Sequence, residues 1–198
     1  MEVIVMTHKV LGIYGSPRAG GNTDCLLDSV LDGAREAGAS VRAVYARDLA
    51  MCGCTECGGC DKTGVCVIDD DMQSVYPMLD MSDRIYLASP VFFYGVTAQA
   101  KALIDRAQAL WCRRMVTKSP DQIISQDSGK GYLIAAGATK GQKLFLGVEL
   151  TAKYFFDALD MSYEGGLLLR GIETASDAAK QPDLIEQAYR LGFESASD

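Results

Sequence analysis

The sequence predicts an α/β fold in which a five-stranded parallel sheet of order 2-1-3-4-5 carries helices on both faces. Strand-like and helix-like segments alternate along the chain. The first apolar run, Lys9-Val-Leu-Gly-Ile-Tyr14, is continuous, as a strand buried on both faces requires. With 198 residues, 48% of them hydrophobic, the chain can bury a substantial core without disulfide staples. Residues 1–198 read as one domain, with no internal repeat, low-complexity tract or linker.

The elements follow in order. Lys9 to Tyr14 is the first strand, and a glycine-rich loop from Gly15 to Thr23 leads to a helix. There Leu27, Val30, Leu31 and Ala34 fall at i, i+3, i+4 and i+7, making one buried face, and Gly38 supplies the stop. Ser40 to Ala46 is the second strand, and a cysteine-rich loop follows at about residues 52–68. Asp69-Asp-Asp71 starts the next helix, where each well-placed acid favours the macrodipole by about 0.3–1 kcal/mol; three acids also have the chemistry to hold a metal. Arg84 to Ser89 is the third strand, stopped by Pro90, with a helix from about Thr97 to Leu110. Gly131 to Ala136 is the fourth strand, and Leu144, Val148, Ala152, Phe155 and Leu159 mark the helix after it. Met161 to Leu169 holds the fifth strand, and Pro182 opens a last helix that stops near Gly192. Cys112 to Lys130 is the long irregular connection, a mobile loop or a lid. Five strands alternating with five helices give a flavodoxin-like three-layer sandwich, with ligand at the carboxyl ends of the strands.

A net charge of −7 disfavours nucleic acid and anionic membrane surfaces as partners. No segment reaches the roughly 18 apolar residues of a membrane span. The opening Met-Glu-Val-Ile-Val-Met is too short for a secretory core and carries an acid at position 2. The expected location is cytoplasmic, where thiols stay reduced, so seven cysteines point to metal or redox chemistry rather than disulfides.

Cys54, Cys57, Cys60 and Cys66 form the pattern C-x2-C-x2-C-x5-C. Thiolates this crowded, with glycines between them, can converge on one inorganic core, as in iron–sulfur proteins. Zinc competes, although its sites usually take two separated pairs. Cys52 is a substitute ligand or a neighbour, and Cys25 and Cys112 read as small buried side chains. The lone His8 leaves no basis for a Ser-His-Asp mechanism or a histidine-ligated metal.

The first loop, Gly15-Ser-Pro-Arg-Ala-Gly-Gly-Asn-Thr23, lacks the Lys-Ser/Thr of a P-loop and the G-x-G-x-x-G of a dinucleotide site. Its hydroxyls, amide, cation and glycine N–H groups suit a terminal phosphate at a helix N-terminus; the alternative is a turn capped by Asn22 or Thr23. After the third strand, Pro90 to Gly95 offers aromatics that either flank a flat conjugated ring or belong to the core.

Together, Gly-Ser-Pro-Arg…Asn-Thr and Ser89-Pro-Val-Phe-Phe-Tyr-Gly-Val-Thr-Ala-Gln-Ala-Lys-Ala-Leu-Ile-Asp-Arg106 resemble the NAD(P)H-dependent FMN reductase superfamily. The cysteine stretch between them, followed by Val67-Ile-Asp-Asp-Asp-Met72, resembles its iron–sulfur flavoprotein branch. The resemblance spans about Lys9 to Gly192. It implies an FMN phosphate on Ser16, Arg18, Gly21, Asn22 and Thr23, and a flavin ring against Pro90, Val91, Phe92, Phe93, Tyr94 and Gly95, with Gly137 on its other side. It also implies Cys54, Cys57, Cys60 and Cys66 as ligands of a [4Fe–4S] cluster near the flavin, NAD(P)H as a further cofactor, and a homodimer or homotetramer. Phe92 stands where relatives often carry tyrosine, and Tyr94 where a smaller residue is common; Ala136 precedes Gly137 where paired glycines are usual.

The expected function is a flavin-dependent oxidoreductase passing electrons between a ferredoxin-like or reduced-nicotinamide donor and a small-molecule acceptor. A cluster-free NAD(P)H-dependent FMN or quinone reductase and a non-catalytic flavodoxin-like carrier are the alternatives. Hard chemistry of this kind belongs to the cofactors, so no dedicated acid–base residue is expected.

Overall fold

The computed structural model describes residues 7–124 and 129–198. Five strands, β1 (Lys9–Tyr14), β2 (Ser40–Tyr45), β3 (Arg84–Pro90), β4 (Gly129–Gly137) and β5 (Met161–Arg170), form one parallel sheet in the order β2-β1-β3-β4-β5. This is the predicted order. The central strands are almost wholly buried, which explains why their sequences are apolar without alternation.

Side chains leave a strand on alternate faces, and two cores result. Leu11, Ile13, Ile85, Leu87, Leu133 and Ala135 point to one face, where they meet α2 (Met72–Asp80), α3 (Ala98–Arg106), α4 (Gln108–Thr117) and α6 (Leu146–Ala158). Val10, Tyr14, Tyr86, Ala88, Tyr132 and Ile134 point to the other, covered by α1 (Asn22–Glu36) and α7 (Pro182–Ser197). The predicted face of α1 is buried, and Gly38, at φ +90, turns the chain after it.

Three expectations change. The helix predicted from Thr97 to Leu110 is two helices, broken at Ala107, with Thr97 as the N-cap accepting from the Ala100 amide. The connection expected to be irregular is helical over Gln108–Thr117 and, as α5, over Pro120–Ile124; residues 125–128 lie outside the described residues, as do residues 1–6 of the N-terminal extension. The amphipathic pattern of α4 is hidden because a charged residue faces inward: Arg114 is buried with its Nε 3.0 Å from Asp160.

The third change is at Gly192, which does not stop α7 but lies within it. A Cβ at Gly192 would stand 1.8 Å from the Val30 carbonyl oxygen, and one at Gly33 would stand 2.0 Å from that of Tyr189. Two missing side chains thus let α1 and α7 touch backbone to backbone. Gly192→Ala is expected to destabilise the fold by about 1–3 kcal/mol through overpacking, read as a lower thermal midpoint. Gly141→Ala, where a Cβ meets nothing within 4 Å, should leave the midpoint unchanged.

Candidate functional site

Two predicted loops meet at the carboxyl ends of β1 and β3. The Gly15 amide donates to the Ala88 carbonyl at 2.7 Å, and the buried Thr97 hydroxyl donates to the Gly15 carbonyl. Ser89 Oγ accepts from the Thr97 amide at 3.2 Å, so the loops are one hydrogen-bonded unit. Arg47 braces the first loop from below, donating to the Ser16 carbonyl at 3.2 Å and to Asp24 at 2.9 Å.

Above this unit lies a cavity of about 250 Å³. Ser16, Arg18, Gly21, Asn22, Thr23, Pro90, Val91, Phe92 and Gly137 line it. Helix α1 begins at its floor with no side-chain cap, so first-turn N–H groups are left for a ligand. Arg18 is exposed there and has no ion pair among the described residues. An uncapped helix start beside an unpaired cation fits a phosphate monoester.

Individual positions differ from the sequence reading. Asn22 lines the cavity, but its amide is already engaged: Nδ2 donates to the Thr174 carbonyl at 2.6 Å and Oδ1 accepts from the Ala178 amide at 2.9 Å. Its side chain ties the β5–α7 connection to the start of α1. Ile172 and Glu173, from that same connection, also line the cavity. Sequence reasoning missed both, because only the sheet order brings β5 beside β4; Gly171, at φ +73, was the available signal.

Phe93, Tyr94 and Gly95 do not line that cavity. They form a two-residue hairpin turn in which Phe92 and Gly95 exchange amide–carbonyl bonds of 2.9 Å. Phe93 and Tyr94 both sit at positive φ, 49° and 63°. The alternative that these aromatics are core is excluded, since Phe92 is 49% and Phe93 105% exposed.

The residues of the second predicted site share a cavity, although their donor atoms form no grouping of three or more within 4.8 Å of one another among the described residues. Cys54, Cys57, Cys60 and Cys66 all line one cavity of about 570 Å³, together with Asp105, Arg106 and Gln108. Arg106, 1% exposed, staples the two ends of the loop: it donates to the Cys52 carbonyl at 3.1 Å and the Ile68 carbonyl at 3.4 Å. Its two terminal nitrogens also grip Asp70 at 2.6 and 3.0 Å. That fork holds the Asp70 carboxyl below its ordinary range. Asp70 therefore serves Arg106 first and the start of α2 second, through the Met72 amide at 3.1 Å, whereas Asp71 bonds the Ala50 amide at 2.7 Å.

Burial works to raise the Cys66 thiol, but the Ile68 amide, the Tyr76 hydroxyl and the Arg106 guanidinium outweigh it, so the net direction is down. Cys60, desolvated and beside Cys112, is pushed up to about 11. Arg106 Nε–H is buried without a hydrogen-bond partner, which fits an anionic sulfur-rich body in this cavity. Cys112 is buried as expected but is no bystander, with its sulfur 3.7 Å from that of Cys60. Arg106 and Gln108 had no site role in the sequence reading, although Ile104-Asp-Arg106 was part of the family pattern.

The two cavities share no lining residue. Helix α3 runs between them, from Thr97 at the phosphate loop to Asp105 and Arg106 at the cysteine loop. Nine residues of helix span about 13 Å.

Residues 8–146 match the NADPH-dependent FMN reductase family. An iron–sulfur flavoprotein of Methanocaldococcus jannaschii is 32% identical over 159 residues, 80% of this chain and 75% of that protein. The chain belongs to the NADPH-dependent FMN reductase family, in its iron–sulfur flavoprotein branch. A second member of that branch, from Methanosarcina thermophila, is 36% identical over 111 residues, 56% of this chain and 58% of that protein. The chain spans about half the length of several of the iron–sulfur flavoproteins that it matches. The fold is also that of an NAD(P)H:quinone oxidoreductase from Methanothermobacter marburgensis, with a TM-score of 0.72 at 11% identity over 95% of this chain and 96% of that one. No helix among the described residues is long and apolar enough to cross a membrane.

Proposed function

We propose that the chain is an FMN-dependent oxidoreductase whose cysteine loop holds a [4Fe–4S] cluster, and that it passes electrons between a ferredoxin-like or reduced-nicotinamide donor and a small-molecule acceptor. The observation that carries this reading is the gathering of Cys54, Cys57, Cys60 and Cys66 around one cavity, a helix length from a phosphate-type cavity at the strand ends. When bound, FMN exchanges electrons singly or in pairs and a cluster exchanges them singly, so the two together connect carriers of different electron number.

The residues of the chain hold and orient. First-turn N–H groups of α1 and the Arg18 guanidinium take the phosphate, on a loop held in shape by the Ser16 hydroxyl, which donates to the Arg18 carbonyl and accepts from its amide at 3.1 Å; Pro90, Val91, Phe92 and Gly137 take the ring. Phe93 and Tyr94, exposed and next in sequence to the cavity-lining Phe92, are the rings offered to a partner. The four thiolates take the cluster, and Arg106 keeps their loop closed. Self-association is supported by a groove of about 540 Å³ lined by Trp111, Leu150 and Tyr154, which shares Asp105 and Gln108 with the cysteine cavity.

Anaerobic purification with iron, sulfide and flavin quantified tests the assignment. About four irons and one FMN per chain are expected. FMN without iron, rapidly bleached by NADPH, would establish the cluster-free reductase instead. Arg18→Ala should weaken FMN by about 10- to 150-fold, the equivalent of a charge-assisted contact of about 1.5–3 kcal/mol, as read by fluorescence titration. Unchanged affinity would remove Arg18 from the phosphate site.

A further inference from the structure

Cys112, on α4, belongs to neither cofactor set, yet it is built into a second cluster of donors. Its Sγ lies 3.7 Å from Cys60 Sγ and 3.8 Å from an Asp61 carboxylate oxygen. These ligand atoms all lie within 4.8 Å of one another, and this is the sole such grouping of three or more Cys, His, Asp or Glu donors among the described residues. Gln108 Nε2 contacts Cys112 Sγ at 3.5 Å and fixes where it stands.

Those spacings have a specific meaning. Two thiolates bound tetrahedrally to one zinc at about 2.3 Å stand about 3.8 Å apart, and a thiolate and a carboxylate oxygen at about 2.1 Å stand about 3.6 Å apart. These two observed distances agree with the ideal ones to about 0.2 Å and the third edge, Cys60 to Asp61, lies within 4.8 Å, so the trio stands near the geometry of a single ion. Cys54, Cys57 and Cys66 are not drawn in to this spacing, although they line the same cavity. The four loop cysteines and this tight trio are therefore different groupings that share Cys60.

We infer that Cys60, Asp61 and Cys112 form a three-ligand site for a single thiophilic divalent cation, zinc being the type ion, with its fourth position open. Binding converts two thiols to thiolates and releases two protons, with no change of oxidation state. One Cys60 sulfur cannot complete both sites in full, so zinc at the trio and a four-cysteine cluster exclude each other. Zinc at the trio would tie Cys60 and Asp61 of the loop to Cys112 on α4, whereas the proposed cluster would be held within the loop itself. This inference stands apart from the cluster assignment and does not need it.

The test uses the full chain, stripped of metal and kept reduced under anaerobic conditions, then titrated with zinc against a chromogenic chelator. One equivalent of tightly held zinc is expected. Cys112→Ser and Asp61→Asn should each weaken it tenfold or more, and Cys57→Ser should leave it unchanged. Iron uptake on reconstitution should show the reverse pattern, surviving in Cys112→Ser and Asp61→Asn. Asp61 is exposed, so its variant remains informative if the buried Cys112→Ser fails to fold. Zinc lost in Cys57→Ser and kept in Asp61→Asn, or no stoichiometric zinc at all, would overturn the inference. A wild-type chain that takes zinc in the expected pattern but no iron would instead sink the cluster assignment and leave this one standing.

Discussion

Arg106→Ala is expected to cost the fold about 3–5 kcal/mol, the range for removing one member of a buried ion pair. Arg106 is 1% exposed and its fork is met by both Asp70 oxygens, so truncation leaves that carboxylate without its counter-ion, held by the Met72 and Cys52 amides. Against a typical total of about 5–15 kcal/mol, that is a large fraction. The same change removes the Arg106 bond to the Cys52 carbonyl and leaves the Ile68 carbonyl to Gln73 Nε2 alone, at 2.6 Å, so the loop loosens chiefly at its Cys52 end and iron uptake should fall with the urea midpoint. Arg106→Lys keeps the charge without the fork and should recover only part of either. The pH dependence has a definite sign. The folded-state carboxyl of Asp70 is depressed, so its contribution is complete above the ordinary carboxylate range near pH 4 and drains away as pH falls through the depressed folded value. The stability gap between wild type and Asp70→Asn should therefore close in acid. An unchanged midpoint in Arg106→Ala would remove the staple from the account.

Cys57→Ser is the second large effect. It should abolish the sulfur-to-iron absorption and the bound iron while FMN affinity stays within about twofold, because the two cavities have no lining residue in common. Cys57 is exposed, so loss of the fold is not an alternative reading of lost iron. Parallel loss of FMN would show that the sites are coupled through α3 in a way that the static contacts do not reveal.

Much of this was readable in the residues, and the exceptions share a cause. The bounds of β1 could be taken directly from Lys9 to Tyr14, because a strand buried on both faces writes itself as an unbroken apolar run. The four loop cysteines could be grouped from their spacing alone, and they line one cavity. Contacts that depend on topology were not. Arg106 meets Asp70 across 36 positions of sequence, and Asn22 meets Thr174 across 152. Hydrophobicity alone likewise could not tell whether Phe93 faces inward. Glycine carries the same ambiguity: Gly38 ends a helix, whereas Gly192 sits within one because a backbone passes too close for any side chain.

The hairpin at Phe93 and Tyr94 has a consequence of its own. Left-handed backbone at two bulky residues is uphill by about 1 kcal/mol or more at each, and an Asn-Gly pair would adopt the same turn almost freely. Phe93, fully open to water, recovers nothing of that inside the chain. Stability of the fold therefore does not account for these two rings at this turn: the open Phe93 buries nothing that would offset the strained backbone.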